Sequence, residues 1–501
     1  MKKKLLFWTN MFMLHFSLSY YLQQKLDDDF FAIIDVSNKP KKFFQNQKIV
    51  NFKKTWDYND QIKKTSKKPD LEYLKKFEKK YKINLWKMAI NERHFYKFNR
   101  FYKFTNQEIL TILEQECKFF EKILDEITPD YFLTYDPPFH HSKLLLEMCK
   151  SKGIKILCLY FTRIGSATII AEDGGTLDFP QNLDTVELDK KEEHRLKEKY
   201  ILNKKTKTYS TLTKNYKNER GATSTDKLKA LINYILISDS KNIQSNYTYY
   251  GRTKFKVILD TFALSIKRQI RANHIQKNQR KIVDLNIPFT YFPLNIEEEL
   301  SMLHYAPFFT NQIEVLKHIA KSLPINHKLY VKEHTFAEFR GWHTISEYKE
   351  MMEIPNLILV HPSYSSDELV KHSKLVVTVR GTASFDAAIQ NKPSIIFGDI
   401  PFTILPSVYK VKSLTELPNL IKTALETPVN SQSVLKYFKL MDERSIDFSM
   451  MDFEVKRNNQ FFSGNILSDV EISEKDTKQF LDKNNQYFES LIKTHLKKII
   501  H

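Results

Sequence analysis

The chain has 501 residues, of which 42% are hydrophobic and 27% charged. That length exceeds what one hydrophobic core organises, so two domains with connecting helices are expected, and the spread of charge excludes a bilayer-spanning helix. The formal net charge of +19 suits nucleic acid, a membrane surface or an anionic substrate equally, and its lysines are scattered through the chain, so charge alone selects none of them.

In chain order, the opening Met1-Lys2-Lys3-Lys4-Leu5-Leu6-Phe7-Trp8 imitates a signal peptide. Thr9, Asn10, His15 and Ser17 interrupt its apolar run and no small-residue cleavage site follows, so strand and then helix are expected. The run Leu5–Trp8, an amphipathic stretch from Met11 to Lys25 and the run Phe30–Val36 read as a β-α-β unit. A lysine-rich segment from Lys41 to Lys82 reads as loop and surface helix. The alternation resumes with a helix over 106–127, a strand over 131–135, a helix over 141–151 closed by Gly153, and a strand over 154–160. From Leu177 to Arg280 the pattern is polar, basic and helical, and its amphipathic part from Lys254 to Arg271 suits either a solvated face or peripheral contact with an anionic membrane. Strands are expected over 289–294, 328–332, 357–360, 375–379 and 394–397, each followed by helical periodicity, which predicts a second parallel sheet covered on both faces. The remainder reads as helix. The fold class expected is therefore α/β with two Rossmann-like domains, at 1–176 and 281–430, a helical basic connector at 177–280, and C-terminal helices at 431–501 that pack back across the domains.

Cys117, Cys149 and Cys158 are odd in number and lack metal-ligand spacing, so neither a disulfide framework nor a zinc site is expected, and a reducing, cytoplasmic setting fits. Ligands of open α/β sheets bind beyond the carboxyl ends of the strands, which directs attention to three turns. Lys332-Glu333-His334 places a cation and an imidazole after a strand, as a phosphate contact and a proton donor, or as a surface lysine with a capping histidine. Arg380-Gly381-Thr382-Ala383-Ser384-Phe385-Asp386 enters a helix through glycine, with Arg380 as a planar cation and Thr382 and Ser384 as hydroxyls near free backbone N–H groups; ordinary capping by Thr382 is the plainer alternative. Ser365 or Ser366 caps a further helix, with Glu368 or Asp367 in its first turn, or Ser365 touches a donor.

Phe292-Pro293-Leu294, Asn311-Gln312, Ser322-Leu323-Pro324, Leu329 to His334, Ile354-Pro355-Asn356, Arg380 to Ala388 and Lys392 to Gly398 together resemble the capsule (surface) polysaccharide biosynthesis family in order, spacing and residue type. That family is similar to two-domain GT-B glycosyltransferases, some of which transfer Kdo from its CMP-activated form. In the first half the resemblance rests only on the β-α-β layout and the region from Pro129-Asp130 to Arg163. It implies that Lys332 and His334 meet the donor phosphate, that Gly381, Thr382 and Ala383 form the family's Gly-Thr-Ala turn, and that Asp386 stands where a glutamate meets the nucleotide. Thr335 replaces the family's proline, while the literal His361-Pro362 follows another strand. Glu172-Asp173-Gly174 is similar to an acidic motif that supplies the base in sialyltransferases of this architecture, or is an acidic turn; Asp136, His140 and His141 are placed toward the same cleft, with a core or capping role as the plainer reading of the histidines.

The expected activity is sugar transfer from a nucleotide sugar, with no cofactor and no metal, to a polysaccharide or glycolipid, with no nucleic-acid partner. The donor is expected on the second half and the acceptor on the first. A teichoic-acid-type glycerophosphotransferase and a non-catalytic scaffold of polysaccharide assembly remain alternatives.

Overall fold

The computed structural model describes residues 2–164, 167–175, 178, 182–202, 225, 229, 231–237, 246–334, 336–464, 467 and 469–500. Its strands are β1 Lys4–Asn10, β2 Asp29–Asp35, β3 Lys54–Asp57, β4 Tyr131–Tyr135, β5 Lys155–Phe161, β6 Thr168–Ala171, β7 Phe289–Pro293, β8 Lys328–Lys332, β9 Leu357–Val360, β10 Leu375–Thr378, β11 Ser394–Ile396 and β12 Val408–Lys410. The helices that matter below are α1 Leu14–Gln23, α2 Asn106–Ile127, α3 His140–Ser151, α4 Lys254–Asn278, α5 Gln312–Ser322, α6 Ile345–Met352, α7 Ser366–His372, α8 Ala383–Ile389, α9 Met450–Phe461 and α10 Glu474–Ile500. No helix among the described residues is long and apolar enough to cross a membrane.

The chain forms two compact units. The first gathers Met1–Asp173, Asn203–Val257 and Arg444–His501; the second gathers Gly174–Leu202 and Ile258–Glu443. The segment read as one connector is thus divided between the units, its start at Leu177 and its stretch 203–224 lying outside the described residues. The C-terminal residues likewise divide at Glu443.

Each unit is Rossmann-like, so the α/β class expected from the alternating pattern is the one the chain adopts. The first sheet runs β3-β2-β1-β4-β5-β6. Its pairs are parallel except for the β5–β6 hairpin, where Cys158 lies opposite Ala171. The second sheet, β12-β11-β10-β7-β8-β9, is parallel throughout. In both, order reverses beside the first strand, between β1 and β4 and between β7 and β10, and a crevice opens at such a reversal beyond the carboxyl ends.

Burial explains why the central strands read as continuous apolar runs: both sheet faces are covered. In the first unit Leu5, Phe7, Phe30, Leu133 and Leu159 pack with Leu14 and Leu18 of α1 and with Phe453, Phe480, Phe488 and Leu491 from the C-terminal helices. In the second, Phe292, Val331, Leu359 and Val377 pack with Leu316 and Ile319 of α5 and Met351 of α6, while Tyr291, Tyr330, Val360 and Val376 cover the other face with Leu369 and Ala387. Gly153 has φ 70, the left-handed geometry expected just past α3.

Candidate functional site

In the second unit the carboxyl ends of β7, β8 and β10 lie side by side, and they carry Asn295, the Lys332–His334 turn and the Gly381 turn. Lys332 ends β8 only 3% exposed, pairs in register with Pro293, and donates through Nζ to the Tyr364 carbonyl at 3.1 Å. Burial strips solvent from its ammonium and, against the attraction of Asp367, lowers its pKa to about 8. Glu333, the next residue, is buried: His343 Nδ1 lies 2.6 Å from its carboxylate, and the Tyr348 hydroxyl also donates to it. Burial would hold His343 neutral, yet Glu333 outweighs it and raises the imidazole to about 9. This internal ion pair fixes the chain between the two residues read as phosphate contacts. His334 is half-buried; its Nδ1 accepts the Phe336 N–H at 3.2 Å, and Thr335 lies outside the described residues.

At β10 the Thr378 hydroxyl donates to Asn295 Oδ1 at 3.1 Å and accepts the Gly381 N–H at 3.1 Å. Glycine is required there, because a Cβ on residue 381 would stand 2.6 Å from Thr378 Oγ1. Thr382 is exposed with no side-chain cap bond, Ala383 opens α8, and Asp386 is half-buried in its first turn. The capping expected of Thr382 is therefore absent, and its hydroxyl lies in solvent.

Three sequence-picked residues act structurally instead. Arg380 is buried, donates from Nε to the Asp399 carbonyl at 2.5 Å and from Nη2 to the Gly174 carbonyl at 3.2 Å, and stacks 3.9 Å from the Tyr305 ring centroid. Its guanidinium is a strut, not an open phosphate clamp. Ser384 is buried with its hydroxyl donating to the Gly381 carbonyl at 2.8 Å, and Ser365 caps α7 by accepting the Glu368 N–H at 3.3 Å. His361, after β9, has its Nδ1 2.6 Å from the Ser363 hydroxyl.

In the first unit a cleft of about 580 Å³ opens beyond β1, β2 and β4, lined by Asn10, Asp35, Tyr58, His94, Tyr135 and His141 among others. Behind it lies a buried polar network. His140 is held between Glu92 and Glu116, 2.9 Å from each carboxylate, and these acids overcome burial to raise its pKa to about 10. Tyr58 donates to Glu116 at 2.5 Å and lies 2.9 Å from the Tyr247 hydroxyl, which is 3.2 Å from His141 Nδ1. His141 Nε2 meets Asp35 Oδ2 at 3.2 Å, so the network ends on a carboxylate that faces the cleft. Glu116, His140 and His141 offer donor atoms within 4.8 Å of one another, a spacing a metal ion accepts; both ring nitrogens of His140 are already engaged by carboxylates. His140 is thus a core residue, whereas His141 borders the cleft.

The acids chosen from sequence lie elsewhere. Asp173 pairs with Lys150 at 2.6 Å and Glu172 is exposed just after β6; Asp136 follows β4, donating its N–H to the Leu159 carbonyl at 3.0 Å. Sequence reasoning missed Asp35, Asn10 and the supporting Glu92, Glu116, Tyr58 and Tyr247. The carboxyl-end rule, applied to β1 and β2 as it was to β8 and β10, singles out Asn10 and Asp35.

The fold defines an α/β protein of two Rossmann-like units, with a cleft beyond the first sheet and a buried cation at the carboxyl edge of the second. Residues 193–427 match the family described as capsule polysaccharide biosynthesis protein, the family that the motifs resemble. No curated protein matches the chain. Among solved structures, the chain is similar to the UDP-GlcNAc 2-epimerase of Methanocaldococcus jannaschii, at 13% identity, a TM-score of 0.23, and coverage of 88% of this chain and 100% of that one. It is also similar to the beta Kdo 2,7 transferase of Thermosulfurimonas dismutans KpsC, at 11% identity, a TM-score of 0.29, and coverage of 74% and 95%. The beta Kdo 2,4 transferase of the same protein gives 10%, 0.30, 62% and 78%.

Proposed function

We propose that the chain is a glycosyltransferase of capsular or surface polysaccharide assembly that takes its sugar from a nucleotide-activated donor held by the second unit. The observation that carries this reading is Lys332, a buried lysine at the carboxyl edge of a doubly wound sheet, inside the segment that matches the family. A cation stripped of water gains more from a phosphate than an exposed one does, and it neutralises charge as the phosphate departs. His334 is assigned the leaving phosphate oxygen, and the turn at Gly381 to Ala383, with Asp386, the nucleotide. No metal enters this scheme.

The acceptor is assigned to the first unit, a polysaccharide or glycolipid whose hydroxyl gives its proton to a carboxylate as the new glycosidic C–O bond forms and the bond from the sugar to the donor phosphate breaks. Asp35 suits that role better than Asp173, since it faces a cleft and Asp173 is tied to Lys150. A CMP-sugar is the donor favoured by the family resemblance.

The test is calorimetric titration of the full chain with CMP, CDP, UDP and GDP, against Lys332→Met. One nucleotide is expected to bind, at least tenfold more weakly in the variant. Binding of none, or equal binding by the variant, overturns the assignment.

A further inference from the structure

We infer that the outer face of α4 is a docking surface for an anionic lipid bilayer. This helix has two faces of different character. Leu264, Arg268, Arg271 and Ile275 recur at helical spacing and turn inward. Ile275 joins the core, and Arg271 donates from Nη1 to the carbonyls of Gly341 and Trp342 at 2.8 and 2.9 Å. Leu259, Phe262, Ile266 and Ile270 follow the same spacing on the other side, where they are 50%, 64%, 63% and 52% exposed. At about 100° per residue these four fall within roughly 80° of one another, one unbroken stripe.

Single exposed apolar side chains need no explanation, but an ordered stripe of large ones marks a surface that something else covers. The charge on the helix identifies what. Besides the inward-turned Arg268 and Arg271, the helix carries Lys254, Lys256, Lys267 and Lys277 against Asp260 alone, in a chain of net charge +19. A second copy of this face would bring like charges together. A protein partner is usually met by a rim of both signs, whereas a surface of uniform negative charge suits a border of one sign. Large apolar residues along one side of a basic helix sink into the boundary between headgroups and acyl chains, while the cations stay with the lipid phosphates. The helix is not apolar enough to cross, so it lies in the plane of the surface. This inference stands apart from the sugar-transfer reading and makes no use of Lys332.

The test is sedimentation of the full chain with vesicles of phosphatidylcholine containing about 30 mol% phosphatidylglycerol, and with phosphatidylcholine alone. Binding to the anionic vesicles is expected, at least tenfold weaker without the anionic lipid and weakened by salt. Phe262→Ser with Ile266→Ser, and independently Leu259→Ser with Ile270→Ser, are expected to cut it about tenfold while the thermal transition and nucleotide binding persist. Absence of binding, or equal binding by both pairs, overturns the proposal. So does an oligomer in light scattering that either pair converts to a monomer, because the stripe is then a protein interface.

Discussion

Lys332 shows how one side chain links position to pH dependence. Its ammonium is buried, its pKa is lowered to about 8, and only the protonated form attracts a phosphate. Affinity for the nucleotide should therefore fall as pH rises from 7 to 9, with proton uptake on binding that grows across this window and vanishes only well below pH 7. Titration at several pH values checks this, and a pH-independent affinity refutes it. Two buried histidines report on stability instead. Burial lowers the pKa of His15 to about 3, with His495 adding to the effect, and lowers that of His495 to about 4. Both are neutral in the fold, so the unfolded chain binds more protons below about pH 6.5, and stability is lost as pH falls. By pH 5 each histidine costs about 2 kcal/mol relative to neutral pH. His140 works in the opposite sense, since its raised pKa favours the fold at low pH. A His495→Leu variant should therefore lose less stability between pH 7 and 5 than the parent, by about 2 kcal/mol in urea denaturation; an unchanged difference refutes the assignment.

At the scale of elements, the turn from β10 into α8 depends on a hydroxyl and a missing Cβ. Gly381→Ala places a methyl 2.6 Å from Thr378 Oγ1, displacing the hydroxyl that joins Asn295 to the turn. It should destabilise the second unit by about 1–3 kcal/mol. Thr378→Ala alone loses two hydrogen bonds, but combined with Gly381→Ala it removes the clash, so the pair should cost less than the sum of the singles in a denaturation cycle. Additive costs would refute the steric account. The same turn shows what sequence conveys and what it leaves out. β8 and β9 are legible to the residue because apolar runs covered on both faces are broken by polar turns, and the glycine stands out in a chain that has few. β3 is not legible: its Lys54 and Thr55 are exposed at the sheet edge, so no apolar run marks it. β6 and β12 are not legible either: β6 returns antiparallel on β5 without an intervening helix, and β12 carries a half-buried Tyr409 and an exposed Lys410 in place of an apolar run. Residues adjacent in sequence can be read together as one turn, as Lys332 and His334 are. The network of Glu92, Glu116, His140 and Tyr247 cannot be, because each member comes from a different segment and only folding brings them within hydrogen-bonding distance. Arg380 misled for the converse reason. Its place after a strand suggests a ligand contact, while its partners Asp399 and Gly174 are distant in sequence.

At the scale of the whole chain, the first unit is assembled from both termini, so its stability is not a property of its own sheet alone. Phe453 and Phe480, Phe488, Leu491 and Ile499, from α9 and α10, are buried against β1, β2, β4 and α1. Tyr21 of α1 donates to the Leu481 carbonyl at 2.6 Å, and Thr168 of β6 to the Phe448 carbonyl at 2.7 Å. Five fully buried large side chains contribute about 1.5–3 kcal/mol each, a total of about 10 kcal/mol, which equals the net stability of a typical domain. A chain ending at Glu443 uncovers the part of the first sheet that α9 and α10 shield, keeps only α1 of the helices in this cluster, and leaves no margin for folding it. In that truncated chain the amides of β1, β2 and β4 should exchange with solvent at rates near those of an unfolded peptide, whereas in the full chain they are among the slowest. Retained protection of those strands would show that α1 and the sheet suffice by themselves, and that the C-terminal helices add mass to this core without holding it.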